Sequence, residues 1–167
     1  KTKEFKDIFG NDNFAAVLTQ CDNSFKKENL EIIRELTNEM MDSISYADKI
    51  TSLTDIEFMV GNEEGMTIEQ IVPDLIPTDA ASLETIRRKA YMKPHIAERL
   101  VSKDGTLSWI ILKLRTFPKD SVWNKGKNAV SPEVLTGNEL EHIITKDKYQ
   151  KLHPKGTGLP YVTAMKM

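Results

Sequence analysis

The stretch Gly156-Thr157-Gly158-Leu159-Pro160 has the spacing of a backbone that could wrap an anion. A phosphate cradle needs its glycines between a strand and a following helix, so that free amides and the helix N-terminus converge on the charge. Here the order is helix, loop, glycines and strand, so the stretch reads as a turn into a strand. The histidines are His95, His142 and His153. Glu139-x-x-His142 shares one face of a helix, but no partner motif supplies the further ligands of a zinc site. His142 therefore reads as a surface or helix-terminal residue. The single cysteine, Cys21, leaves no internal disulfide. It ends an apolar run, which makes it a packed or half-exposed thiol and not an activated nucleophile. Neither G-x-S-x-G nor a supported S-x-x-K motif occurs. Asp104-Gly105 and Gly10-Asn11-Asp12-Asn13 lack the spaced carboxylates and closing Glu of a calcium loop, so both read as turns. The expectation is a non-enzyme with no catalytic, metal or cofactor residues.

The elements that would position any site follow from periodicity. Phe14 to Cys21 predicts a short buried strand, and Asp22-Asn23-Ser24 offers N-cap oxygens to the next helix. Leu30, Ile33, Leu36 or Thr37, Met40 and Ile44 recur at helical spacing and form one apolar face. Ala47 to Thr54 predicts a return strand. An inserted arm follows: an extended run Glu57 to Val60, a turn over 61–65, and a β-like alternation from Met66 to Val72. Pro73 and Pro77 argue against regular structure between them. Ser82 to Tyr91 predicts a second helix, capped by Thr78, Asp79 or Ser82 and broken by Pro94, with a short helical turn through Ile96 and Ala97.

The chain then predicts a hairpin turning at Asp104-Gly105. Its second arm, Leu107 to Thr116, carries the apolar run Trp109 to Leu112 and reads as a central strand buried on both faces. A polar loop spans Phe117 to Asn128. Ser131 and Pro132 cap and open a third helix with Leu135, Leu140, Ile143 and Ile144 facing inward. Lys151 to Lys155 reads as loop and Leu159 to Met165 as the last strand. The pattern predicts an α+β fold: a split βαβ, ferredoxin-like antiparallel sheet with helices on one face. One domain over 1–167 would have its core in 9–54 and 99–165 and the inserted arm in 55–98.

At 167 residues, with 23 basic and 25 acidic side chains, the chain has a net charge of −2 and no basic face for nucleic acid. No apolar window reaches the ~20 residues of a membrane-spanning helix, and no signal segment opens the chain. It begins at Lys1 and stops on a strand, so it reads as a piece of a longer protein.

Several stretches, taken in order, resemble a known family. They are FGNDNFAAVLTQ, ENLEIIRELTNEMMDSI, ITSLTD, IVPDLIP with the following DAASLETIRRKA, RLVSKDGTLSWIILKL and GLPY. In that order they resemble the first extracytoplasmic porter loop of resistance–nodulation–division (RND) superfamily exporters. The nearest branch looks like the predicted exporters related to the large mycobacterial membrane proteins and the hopanoid transporters. Phe9-Gly10-Asn11-Asp12, Glu28-Asn29-Leu30, Ser52-Leu53-Thr54, Arg99 to Gly105 and Gly158-Leu159-Pro160 carry the match.

The resemblance implies a periplasmic or external domain of a bacterial inner-membrane transporter driven by proton flow. Its partners would be the transmembrane helices, a second porter domain and a hydrophobic or amphiphilic cargo. Adaptable apolar residues outside the expected core are the candidate cargo contacts: Phe58, Met59, Met66, Met92, Phe117 and Trp123, with Val122 beside the last. The competing account is that they fill the core of the arm. The alternative function is a free-standing α+β small-ligand-binding or regulatory domain, with a minor hydrolase third.

Overall fold

The computed structural model describes residues 13–97, 99–126 and 129–158. The first strand, β1, is Phe14–Gln20, and helix α1 is Lys27–Ser43. Leu30, Ile33, Leu36, Thr37 and Met40 form its buried stripe, so both candidates at the ambiguous step, Leu36 and Thr37, face inward. Thr37 can do so because its hydroxyl donates to the Ile33 carbonyl at 2.7 Å and lies within hydrogen-bond distance of Ser52 Oγ, at 2.9 Å. Strand β2 is Ala47–Thr51, shorter than expected. Ser52 and Asp55 already bridge each other, and Ser52 Oγ lies 3.2 Å from Thr54 Oγ1 in the turn that leaves the sheet.

The arm opens with hairpin strands β3, Glu57–Asn62, and β4, Gly65–Gln70, followed by α2, Ala80–Tyr91, and the single turn α3, Pro94–Ala97. Asp79 caps α2 by accepting the Ser82 amide at 2.8 Å. Strand β5, Leu107–Leu114, follows the Asp104-Gly105 turn, where Gly105 holds φ at 75°. The polar stretch after it holds a short helix, α4, Asp120–Trp123, where sequence periodicity shows only loop. Ser131 caps α5, Pro132–Ile144, with Pro132 in its first turn. A 3-10 turn, Asp147–Leu152, and strand β6, Lys155–Thr157, complete the described chain.

The main sheet runs β2-β5-β1-β6 with every neighbouring pair antiparallel. With the arm set aside, this is the strand order of a split βαβ sheet, and the fold is α+β. Strand β5 lies between β2 and β1, so its apolar run is internal as expected. Side chains alternate across a strand, and the core divides accordingly. Ala15, Val17, Ile110 and Leu112 lie under α1 and α5 in one cluster. Phe14, Ala16 and Ile111 face the other way, into a second cluster with Ile71, Ile86, Ala90 and Ile96 of the arm. The sheet therefore has α1 and α5 on one face and the arm, with its own helices α2 and α3, on the other.

Four expectations are corrected. Asp22-Asn23-Ser24 does not cap α1. Asn23 Oδ1 instead accepts the Phe25 amide at 3.0 Å, an Asx turn that drives Phe25 into the core and delays the helix to Lys27. Leu135 is exposed, because the buried stripe of α5 runs through Thr136 and Gly137, the Thr136 hydroxyl being satisfied by the Pro132 carbonyl at 2.8 Å. The tract from Lys151 is not loop: Leu152 is buried in the 3-10 turn, and Lys155 already pairs with Leu18. Gly156 and Thr157 lie within β6, paired with Val17 and Ala16, and not in a turn ahead of a strand. Gly158 follows with φ 108°, and a Cβ there would lie 2.6 Å from the Phe14 carbonyl oxygen. The glycine thus permits close backbone approach to β1. The expected strand Leu159 to Met165 and the Phe9 to Asp12 motif lie outside the described residues.

Candidate functional site

Why β3 and β4 form a hairpin is legible locally. Asn62-Glu63-Glu64-Gly65 supplies the turn, and Gly65 takes φ 129°, which side-chain-bearing residues avoid. In register, Phe58 pairs with Glu69, Met59 with Ile68 and Gly61 with Met66. Met66 and Ile68 are two apart on β4 and share a face. Met66 Sδ lies over Gly61, 3.6 Å from where a Cβ would stand. Both are open to solvent, Met66 at 61% and Ile68 at 67%. Among the described residues the two strands pair only with each other.

A two-stranded ribbon is marginal alone, so its anchors matter. Lys89 Nζ of α2 pairs with Glu69 Oε1 at 2.7 Å, and that bond holds the Glu69 carboxyl below its ordinary range. Immediately after β4, Ile71 and Val72 enter the second core. Arg34 of α1 then donates to three successive carbonyls: Val72 at 3.0 Å, Pro73 at 2.8 Å and Asp74 at 3.0 Å. The base of the hairpin is fixed while its apolar face stays open. Beside Arg34 an open groove of about 340 Å³ is lined largely by charged side chains, including Lys27, Glu31 and Asp74, which suits water better than a greasy ligand.

The six candidate contacts do not form one surface. Phe58, Met59 and Met66 share the hairpin, although the side chains of Phe58 and Met59 lie outside what is described. Met92, 72% exposed, caps the C-terminal end of α2, the helix that Lys89 ties to the hairpin. Phe117 lies elsewhere, past the end of β5. Its ring packs edge-on against Tyr46, centroids 5.1 Å apart, at the border of the first core. Trp123 is half-buried at the end of α4. Periodicity overlooked Ile68, although the alternation Met66-Thr67-Ile68-Glu69 contained the signal.

The other chemical candidates have structural surroundings. Glu139 accepts the Ser45 hydroxyl at 2.7 Å, while His142 is exposed in the last turn of α5. His153 takes φ 45° and ends the 3-10 turn. Cys21 is half-buried, its Sγ 3.6 Å from Ser24 Oγ. Among the described residues no cluster of His, Cys, Asp and Glu has the makings of a metal site. No known protein family and no curated protein matches the chain.

Proposed function

We propose that this chain is a porter domain of a proton-driven exporter of the RND type, carried on the periplasmic or external side of a bacterial inner membrane. In this reading it does no chemistry of its own. Its part is to hold hydrophobic or amphiphilic cargo against the arm and pass it on, in company with the transporter's membrane helices and second porter domain. The observation that carries the reading is the hairpin: Met66 and Ile68 stand exposed on an anchored arm that springs from a split βαβ sheet. Exposed methionine on a firm base suits ligands that are greasy and variable in shape. The ordered sequence resemblance supports the same assignment. Among the described residues no helix is long and apolar enough to cross a membrane, so the proposed spans would lie in other parts of the transporter.

The test has two arms. Hydropathy of the parent gene over roughly 30 residues on each side of this segment should show a membrane span on both. Lack of an apolar flank on either side would sink the exporter assignment. In cells carrying the full-length gene, Met66→Asp with Ile68→Asp should raise retention of a hydrophobic dye several-fold. Retention unchanged, with the variant present at normal level, would remove the hairpin from the cargo path.

A further inference from the structure

The fold treats its methionines unequally. Among those whose side chains are described, Met40 is fully buried in the first core and Met41 is half-buried beside it. Met66 and Met92 are open to solvent on the arm. A thioether reacts with two-electron oxidants according to the access they have to its sulfur. Such chemistry reaches Met66 and Met92, while packing shields Met40.

Met66 differs from Met92 in its surroundings. It pairs with Gly61 across the hairpin, and its sulfur stands 3.6 Å from where a Cβ on Gly61 would be. The sulfur thus rests against bare backbone, with no directly opposite side chain to cover it. Ile68 shares the same face of β4, and neither residue belongs to a buried core. An oxygen added at Met66 therefore meets water and not a packed neighbour. The anchors of the ribbon, Lys89 on Glu69 and Arg34 on residues 72–74, are left intact.

We infer that Met66 is a reversible oxidation site whose sulfoxide closes the arm's apolar face to cargo. The cargo rests on the porter reading, and the site rests on the hairpin geometry. With hydrogen peroxide as oxidant the step balances. The sulfur lone pair attacks one peroxide oxygen and the O–O bond breaks. The departing hydroxide takes the proton from the new S–OH group and leaves as water. Sulfur loses two electrons and the peroxide gains them. The product sets a polar, hydrogen-bond-accepting oxygen where a soft apolar surface stood. Greasy cargo would strip water from that oxygen without offering a donor, so binding weakens. Methionine sulfoxide reductases restore the thioether, and an exposed strand position leaves Met66 within their reach.

The test uses the 167-residue chain, hydrogen peroxide and a hydrophobic dye that fluoresces when bound. Peptide mass mapping should find sulfoxide forming at Met66 at least about 10-fold faster than at Met40. Dye affinity should fall about 10-fold on oxidation, and a methionine sulfoxide reductase should restore it. Circular dichroism should stay unchanged throughout. Met92→Leu should lose affinity on oxidation as the parent does. Met66→Leu should bind equally before and after oxidation, whatever its starting affinity. A parent chain oxidised at Met66 that keeps its dye affinity overturns the inference. So does a Met66→Leu chain that still loses affinity, a Met66 that oxidises no faster than Met40, or loss of fold on oxidation. A reduced chain that binds no dye is a different result: it fails the cargo reading itself and takes the switch with it.

Discussion

The hydroxyl of Tyr149 donates to the carboxylate of Glu39, 110 positions earlier in the chain. Glu39 lies on α1, in the first strand-helix-strand unit, and Tyr149 in the 3-10 turn of the second, where it is fully buried. Lys146 pairs with the same carboxylate, and Lys148 stands 3.5 Å from it. Burial would raise the Glu39 pKa, but the bonds from Lys146 and Tyr149 outweigh it and the net shift is downward.

Tyr149→Phe should therefore cost about 1.5–3 kcal/mol at neutral pH, the range for a hydrogen bond to a charged partner. Because Glu39 is depressed in the folded state, its contribution is complete above the ordinary value of 4.5 and fades as pH falls through the lower folded value. Urea unfolding of both proteins at pH 7 and near pH 3 checks this. The gap between them should narrow in acid, and a gap independent of pH would assign the loss to packing.

Asp104 makes a local counterpart. Its Oδ1 accepts the Thr106 hydroxyl at 2.7 Å, the Ser102 hydroxyl at 2.7 Å and the Thr106 amide at 3.0 Å. These bonds pull its pKa from 3.8 to about 2. The stabilisation is present above the unfolded value and is lost as pH falls from 3.8 towards 2. Asp104→Asn should thus lower Tm at pH 7, and most of the gap to the parent should have closed by pH 2. Tm profiles that stay parallel across this interval would refute the account.

Glycine substitutions separate crowding from backbone strain. At Gly158 an added Cβ meets the Phe14 carbonyl oxygen at 2.6 Å and Ala15 Cα at 2.9 Å, both backbone atoms that cannot swing aside. Gly158→Ala should cost more than about 2 kcal/mol. At Gly65, with φ 129° and nothing within 4 Å of the added Cβ, Ala brings strain alone, about 1 kcal/mol. Thermal denaturation of the two variants side by side should show this order, and equal losses would contradict it.

These positions also show what was legible in the sequence. The Ser131-Pro132 start and the Asp104-Gly105 turn were readable, and the cap of α2 was narrowed to Thr78, Asp79 or Ser82, because each is decided within four residues of chain. The strand-helix order was readable from apolar spacing, and with it the split βαβ plan. Leu135 misled because Thr136 and Gly137 are buried by contacts that composition does not reveal. Tyr149 was missed because a 3-10 turn has no repeating apolar signal and its partner lies in α1. At the hairpin, sequence singled out Met66 but not Ile68, since an apolar β-branched residue in an alternating run normally faces a core. That its core face is missing can be seen only once the other strands are in place.

The arm's attachment has a kinetic consequence. Strands β2 and β5 are neighbours, with Thr51 opposite Ile111, although about sixty residues of chain intervene. Pairing them around an unstructured arm costs about 2 kcal/mol more in closure entropy than pairing them around a short turn. An assembled arm brings its two stems together, since Ser52 leaves from β2 and Val101 bridges Ser108 at the start of β5. The Arg34 clamp on residues 72–74 is part of that assembly. Arg34→Ala should therefore slow refolding more than it speeds unfolding in stopped-flow chevrons, whereas an effect on unfolding alone would mean that the arm docks last. On this account the arm sets the pace at which the sheet beneath it can form.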